Sequence, residues 1–219
     1  PARAQWMRLS PGWRALDSIS APGEAGLVRR AMQRVAHVTT LHLYRGELFV
    51  TGAVTAGGPE ISLLTAAAFD AMLLIEQETL LGRLELDASE LRGKWQRGDA
   101  AVLATVEGRP AGIGWFAKHP VFVPAIERAV KPAGNEAYIF DLFVSPEERG
   151  RGVAPAMLRF IAARLRQQDV YRGWALIERS NGASTRAFER AGWASVADVV
   201  YAKMGLTTRL VLRPPDPEA

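Results

Sequence analysis

Two rhythms of apolar residues run through the second half of the chain. Val153, Met157, Phe160, Ile161 and Leu165 fall three or four positions apart, the stripe of an amphipathic helix. That stripe predicts a helix over Gly152 to Gln168, with Pro155 tolerated because it sits in the first turn. The runs AYIFDLFV before it and GWALIE after it are short and β-rich, and both read as strands. Next, NGASTRAFERAG places Ala183, Ala187 and Ala191 on one stripe and ends at Gly192, a residue that closes helices well. WASVADVVYAKMG and TRLVLRP read as closing strands.

Upstream the same reading gives a strand, EISLL, and one helix over TAAAFDAMLLIEQETLLGRLE with Thr65 as its N-cap. A second helix spans Ala88 to Arg97. AAVLATVEGRPAGIGWFA is a hairpin turning at Glu107-Gly108-Arg109-Pro110, and a loop with three prolines runs from Lys118 to Asn135. From residue 58 the order is β α α β β β α β α β β, an α/β chain with a mixed sheet. Before it, Ala25 to Val35 reads as helix and VTTLHLYRGELFVTG as one or two strands around Arg45-Gly46. Gly57-Gly58-Pro59 breaks both helix and strand, so residues 1–57 are expected as an N-terminal extension, 58–212 as the domain and 213–219 as a tail.

Composition removes several function classes. The chain has no cysteine, which excludes disulfides, thiolate metal sites and a cysteine nucleophile. No apolar run approaches the roughly 20 residues of a membrane helix, and the first residues lack the apolar core of a signal peptide. The expectation is a cytoplasmic protein that binds neither membrane nor metal. His37 and His42 have no acidic neighbour in sequence, which argues against a metal site there. Net charge is +4, all of it in residues 1–57, where seven arginines face three acids; the remaining 20 basic and 20 acidic residues balance. The dense basic run with interleaved aromatics of a nucleic-acid binder is missing, so none is expected.

The chemistry concentrates in SPEERGRGVAPAMLRF. A helix N-terminus presents unpaired N–H groups and roughly half a positive charge. Glycines let the backbone approach a ligand, and arginines add charge-assisted bonds to phosphate. Arg149-Gly150-Arg151-Gly152, between a strand and a helix, is therefore a candidate pyrophosphate cradle. It is neither a Walker A loop nor the dinucleotide fingerprint, since no GK[ST] follows and Pro155 stands where a glycine belongs.

That stretch resembles the GNAT acyltransferase superfamily. The family's Q/R-x-x-G-x-G/A turn matches Arg149-Gly150-Arg151-Gly152-Val153-Ala154, after a strand ending in DLFVSP. Asn181 opens the next helix, as the family's does, and the element order from about residue 60 to 212 also follows the family. The resemblance implies a splayed central sheet and acetyl-CoA as cosubstrate. Backbone amides of Arg149, Gly150, Arg151, Gly152, Val153 and Ala154 would hold its pyrophosphate. Leu142, Phe143 and Val144 would meet the pantetheine arm, and a backbone N–H near Val144 would face the thioester oxygen. Asn181 would bond the arm. Phe188, where the family usually carries a tyrosine acid, is counted with this cofactor-binding set.

An alkylamine has a pKa near 10.4, so a base must take its proton before it attacks. Asp141, in the middle of an apolar run, is the first choice and Glu136 the second. With Phe188 lacking a hydroxyl, Tyr201 is the leading candidate to protonate the thiolate and Tyr138 the other, while His119 is a candidate for the acceptor pocket. The expected activity is N-acetyl transfer to a small-molecule amine by direct attack, in a monomer or homodimer. Alternatives are a longer acyl-CoA or acyl-carrier donor, or a CoA-binding module with weak catalysis.

Overall fold

The computed structural model describes residues 36–48, 58–204 and 206–215. Its frame is one eight-stranded sheet in the order β10-β9-β1-β8-β7-β4-β3-β2. The strands are β1 (Ala36–Glu47), β2 (Glu60–Leu64), β3 (Ala100–Val106), β4 (Arg109–Ala117), β7 (Glu136–Val144), β8 (Arg172–Glu178), β9 (Ala194–Met204) and β10 (Thr207–Arg213). A separate two-stranded hairpin pairs β5 (Val121–Val123) with β6 (Arg128–Val130). The helices are α1 (Ala66–Asp70), α2 (Leu74–Arg83), α3 (Ala88–Gln96), α4 (Val153–Arg166) and α5 (Gly182–Arg190).

Local chemistry accounts for most element ends. Thr65 caps α1 through Ala68 N–H at 3.1 Å, and Asp87 caps α3 through Ser89 and Glu90 N–H at 2.8 and 3.0 Å. At the β3–β4 turn Glu107 and Gly108 both have positive φ, 51° and 73°. That is the turn whose twist suits a two-residue hairpin. The helix expected as one piece after Thr65 is two. Ala71 to Leu73 interrupt it, and Leu73 restarts the chain from an extended conformation (ψ 151°), with Glu76 accepting its N–H at 2.8 Å. The break lets Phe69, Leu80 and Leu84 all reach the same core. The loop 118–135 holds the β5–β6 hairpin, whose three-residue strands are too short for periodicity to reveal.

The largest departure from the sequence reading is β1. The expected boundary at residue 57 does not separate an extension from the domain, because Ala36–Glu47 lies inside the sheet. It pairs antiparallel with β8 from Leu41↔Glu178 to Glu47↔Arg172 and with β9 from Ala36↔Met204 to Arg45↔Ala194. Gly46 stands opposite Gly173, and the Trp193 ring covers the pair: a Cβ on either glycine would lie 2.5 or 2.3 Å from that ring. The helix expected over 25–35 lies outside the described residues.

Three apolar clusters glue the layers. One sits under α4 and α5, around Met157, Ile161, Leu165 and Phe188. On the other face, α1–α3 cover Ile113 and Trp115, and the hairpin covers Leu41, Leu43, Tyr138, Trp174 and Tyr201.

Candidate functional site

Strands β7 and β8 are parallel neighbours for only three residue pairs, Glu136↔Arg172, Ala137↔Gly173 and Tyr138↔Trp174. Beyond them β7 continues beside β4 and β8 beside β1. The two strands therefore splay, leaving their facing main-chain groups without a ladder partner.

A bulge re-aims β7 at the splay. Phe140 pairs with Trp115 and Phe143 with Ile113, so Asp141 and Leu142 together oppose Gly114. Asp141 takes the left-handed conformation, φ 45°, one that Asp tolerates better than most residues. The strand beside it accommodates the bulge with glycines. A Cβ on Gly114 would lie 2.7 Å from Leu142 Cδ1, and one on Gly112 2.8 Å from the Phe143 carbonyl oxygen.

Past the bulge the chain enters the glycine turn. Gly150 and Gly152 have φ of 79° and 80°, and a Cβ on either would project into open space. Gly152 is the N-cap of α4. The Arg149 N–H donates to the Pro146 carbonyl (3.4 Å), and Pro155 has no N–H. The amides of Gly150 to Ala154 have no described backbone acceptor, so they remain for an anion. The Arg149 side chain donates to the Val144 carbonyl at 3.2 Å and lies over the Phe143 ring.

These parts line one groove of about 530 Å³. Its walls are Leu142, Phe143 and Val144 from β7, the glycine turn and first turn of α4, and one side of α5. Arg149, Arg186 and Arg190 make it positive; its one acid, Glu148, is buried and paired with Arg151 at 3.2 Å. Asn181 caps α5 by accepting the Ser184 N–H through Oδ1 (3.0 Å), which leaves its amide NH₂ to donate into the groove. The walls form a strip of free amides, a narrow apolar channel and a basic rim. They fit a phosphorylated carrier with a slender arm.

Of the residues singled out in the sequence, Leu142, Phe143, Val144, Arg149, Gly150, Gly152, Val153, Ala154 and Asn181 share this groove. Arg151 is not among the walls; its side chain donates to Glu148. Phe188 does not line the groove. It is buried in the core, edge-on to Trp193 with ring centres 5.1 Å apart, because that face of α5 packs on the sheet. Tyr201 belongs to the cluster on the opposite face, under the hairpin. Burial and then the nearby Glu127 carboxylate raise its pKa, the wrong direction for an acid. Tyr138 is on that face too, stacked on Phe140, and burial followed by the Asp141 charge pushes its phenol up.

Asp141 stands at the bulge, outside the walls of the groove. Its side chain is 56% exposed, and Oδ2 accepts from Lys94 Nζ at 2.6 Å. Lys94 is itself buried, with Glu90 Oε1 at 2.9 Å and the Trp115 ring centre 5.1 Å away. Burial alone would lower the Lys94 pKa; the bonds and charges of Asp141 and Glu90 outweigh it and raise it, so Lys94 is a cation. Glu136 and His119 lie elsewhere. Glu136 is buried at the start of β7, held by Arg172 (3.1 Å) and Ala133 N–H (3.0 Å). His119 stands by the buried Asp99 carboxylate at 3.1 Å. His42, expected without an acidic partner, has one: Asp198 Oδ1, 2.7 Å from Nδ1 across the β1–β9 ladder.

Sequence reasoning missed Lys94, Arg186 and Arg190. The spacing Glu90–Lys94 reads as an ordinary exposed helix pair, and Arg186/Arg190 as a solvated face. The described residues contain no cluster able to hold a metal and no helix long and apolar enough to cross a membrane.

A family model described as acetyltransferase (GNAT) family matches residues 69–193. Among solved structures, an acetyltransferase of the GNAT family from Colwellia psychrerythraea is similar at TM-score 0.53 and 15% identity, over 78% of this chain and 57% of that one. A structure from Novosphingobium aromaticivorans, also described as a GNAT-family acetyltransferase, is similar at TM-score 0.53 and 21% identity, over 82% of this chain and 66% of that one. This chain thus spans about two thirds or less of the length of either. Comparison with curated proteins finds no match.

Proposed function

Because this chain belongs to the GNAT acetyltransferase family, we propose that it transfers the acetyl group of acetyl-CoA to the amine of a small molecule by direct attack. The groove at the β7–β8 splay is the observation that carries the reading. Acetyl-CoA would supply an activated thioester acyl group. The amides of Gly150 to Ala154 would hold its pyrophosphate, with Arg149, Arg186 and Arg190 around the phosphates. The edge of β7 that the splay leaves without a strand partner at Leu142 to Val144, and the Asn181 NH₂, would hold the pantetheine arm.

Across the sheet, Asp141 faces the acceptor. Oδ2 is engaged by Lys94, so Oδ1 takes the proton of the attacking amine. The new C–N bond forms as the C–S bond breaks. A backbone N–H near Val144 stabilises the charge developing on the carbonyl oxygen. The groove offers no tyrosine among its described walls, and Ser184 is its one hydroxyl side chain. The thiolate leaves without a strong acid beside it, which a thiol pKa near 8.5 permits.

Calorimetric titration of acetyl-CoA into the full chain and into Gly152→Glu tests the reading. Micromolar binding that the variant abolishes is the expected result, since the new carboxylate would stand in the phosphate cradle. Binding of longer acyl-CoA in place of acetyl-CoA would change the donor. No binding of any acyl-CoA by the wild-type chain would refute the proposal.

A further inference from the structure

Lys94 is out of character for its surroundings. Lysine is rarely buried unless paired, yet this one is 7% exposed and packs its ammonium over the Trp115 ring. Stability gives little reason for it, because ion pairs whose carboxylates are more than half open to solvent are weak, and an apolar side chain would avoid the cost of burying an ammonium. Its partners point to another role. Lys94 Nζ lies 2.6 Å from Asp141 Oδ2 and 2.9 Å from Glu90 Oε1. Both carboxylates are more than half exposed, 56% and 63%, so they keep their outer faces toward solvent while the buried cation holds their inner ones. The residue it grips is the one in the left-handed conformation that creates the β7 bulge.

We propose that Lys94 is the positioning residue of the acceptor side. Its ammonium fixes the Asp141 carboxylate through Oδ2, turns Oδ1 toward the incoming amine, and pins the bulge that presents residues 142–144 to the groove. The ion pair thus couples the acceptor face to the donor face through one backbone turn. A neutral side chain of equal length at position 94 would fill the space and hold neither. The inference rests on the reading of Asp141 as the group that meets the acceptor.

The test compares Lys94→Met, Lys94→Arg, Asp141→Asn and the double variant Lys94→Met/Asp141→Asn in the full chain. Acceptors come from a panel of primary amines assayed with acetyl-CoA. Lys94→Met is expected to lower kcat/KM for the acceptor by about 10²-fold, the lower end for a general base. Lys94→Arg should recover about tenfold of that loss, because a cation is restored. The double variant should be no slower than Asp141→Asn alone, since both act through one group. Unimpaired turnover in Lys94→Met, no rescue by arginine, or multiplied losses in the double variant would overturn the proposal.

Hydrogen exchange supplies a readout independent of turnover. Amides of residues 140–144 should exchange about tenfold faster in Lys94→Met, and in Asp141→Asn to the same extent. Unchanged exchange there overturns the inference even if the enzyme is active. A wild-type chain that binds acetyl-CoA yet acetylates no amine would instead refute the proposed activity, and exchange alone would then decide whether Lys94 pins the bulge.

Discussion

Gly173→Ala tests the packing of the Trp193 ring on the facing glycines of β1 and β8. The added Cβ would lie 2.3 Å from Trp193 Cη2, 2.9 Å from Cζ2 and 3.1 Å from Ile139 Cδ1. Carbon atoms rest at about 3.5–4.0 Å, so the indole must move by more than an ångström. It is 5% exposed, and Phe188 packs against it at 5.1 Å. Gly46, opposite Gly173, leaves no more room, because its own Cβ position is 2.5 Å from the same ring. Overpacking of this kind costs about 1–3 kcal/mol. For a domain of this size, that is a fall in Tm of about 2–12 °C. Differential scanning fluorimetry of the two chains reads it directly. Trp193→Ala by itself should cost about 3–5 kcal/mol by leaving a cavity, and in that background Gly173→Ala should cost little, because the clashing ring is gone. An unchanged Tm in Gly173→Ala, or an equal loss with and without Trp193, would refute the account of why glycines face each other on β1 and β8.

Phe188→Tyr restores the residue type the family usually carries, yet it should not raise turnover. The ring is 3% exposed and faces Trp193 and Tyr44, so the new hydroxyl enters the core and costs about 1–3 kcal/mol if unpaired; a tenfold rise in kcat would show that the groove reaches position 188. The Lys203–Glu127 pair, 2.6 Å apart, ties the hairpin turn to β9. The Lys203 bond, followed by one from Tyr201, lowers the Glu127 pKa below its ordinary 4.5, so its contribution is present above 4.5 and lost as pH falls through the folded value. The Glu127 bond raises Lys203 above 10.5, so that contribution is present below 10.5 and lost as pH rises through its folded value. The Tm difference between wild type and Glu127→Gln should therefore be flat from about pH 5 to 10 and shrink as the pH drops below it; a difference that persists at pH 2 would refute the pairing.

Much of the groove was legible in the chain. The apolar stripe of α4, the paired glycines before it and the Asn181 cap are governed by neighbours within a few residues, and those rules act before any tertiary contact forms. Hence the glycine turn opens α4 and Asn181 caps α5 where the reading put them, although the Arg149 N–H it counted among the free amides donates to the Pro146 carbonyl. What tertiary structure decided is facing and partnership. Tyr201 and Phe188 sit in well-read elements, but the sheet turns one to the hairpin side and the other into the core. Asp141 looked like a lone acid in an apolar strand; its partner Lys94 is 47 residues away on α3. The strand at Ala36–Glu47 was recognisable as β, and its place between β8 and β9 was not. A strand's alternation states which residues share a face, but says nothing of which neighbours its N–H and C=O groups will find. That choice is made by the gap left where the α5 crossover carries the chain from β8 to β9, and by the Trp193 ring that only two facing glycines can admit.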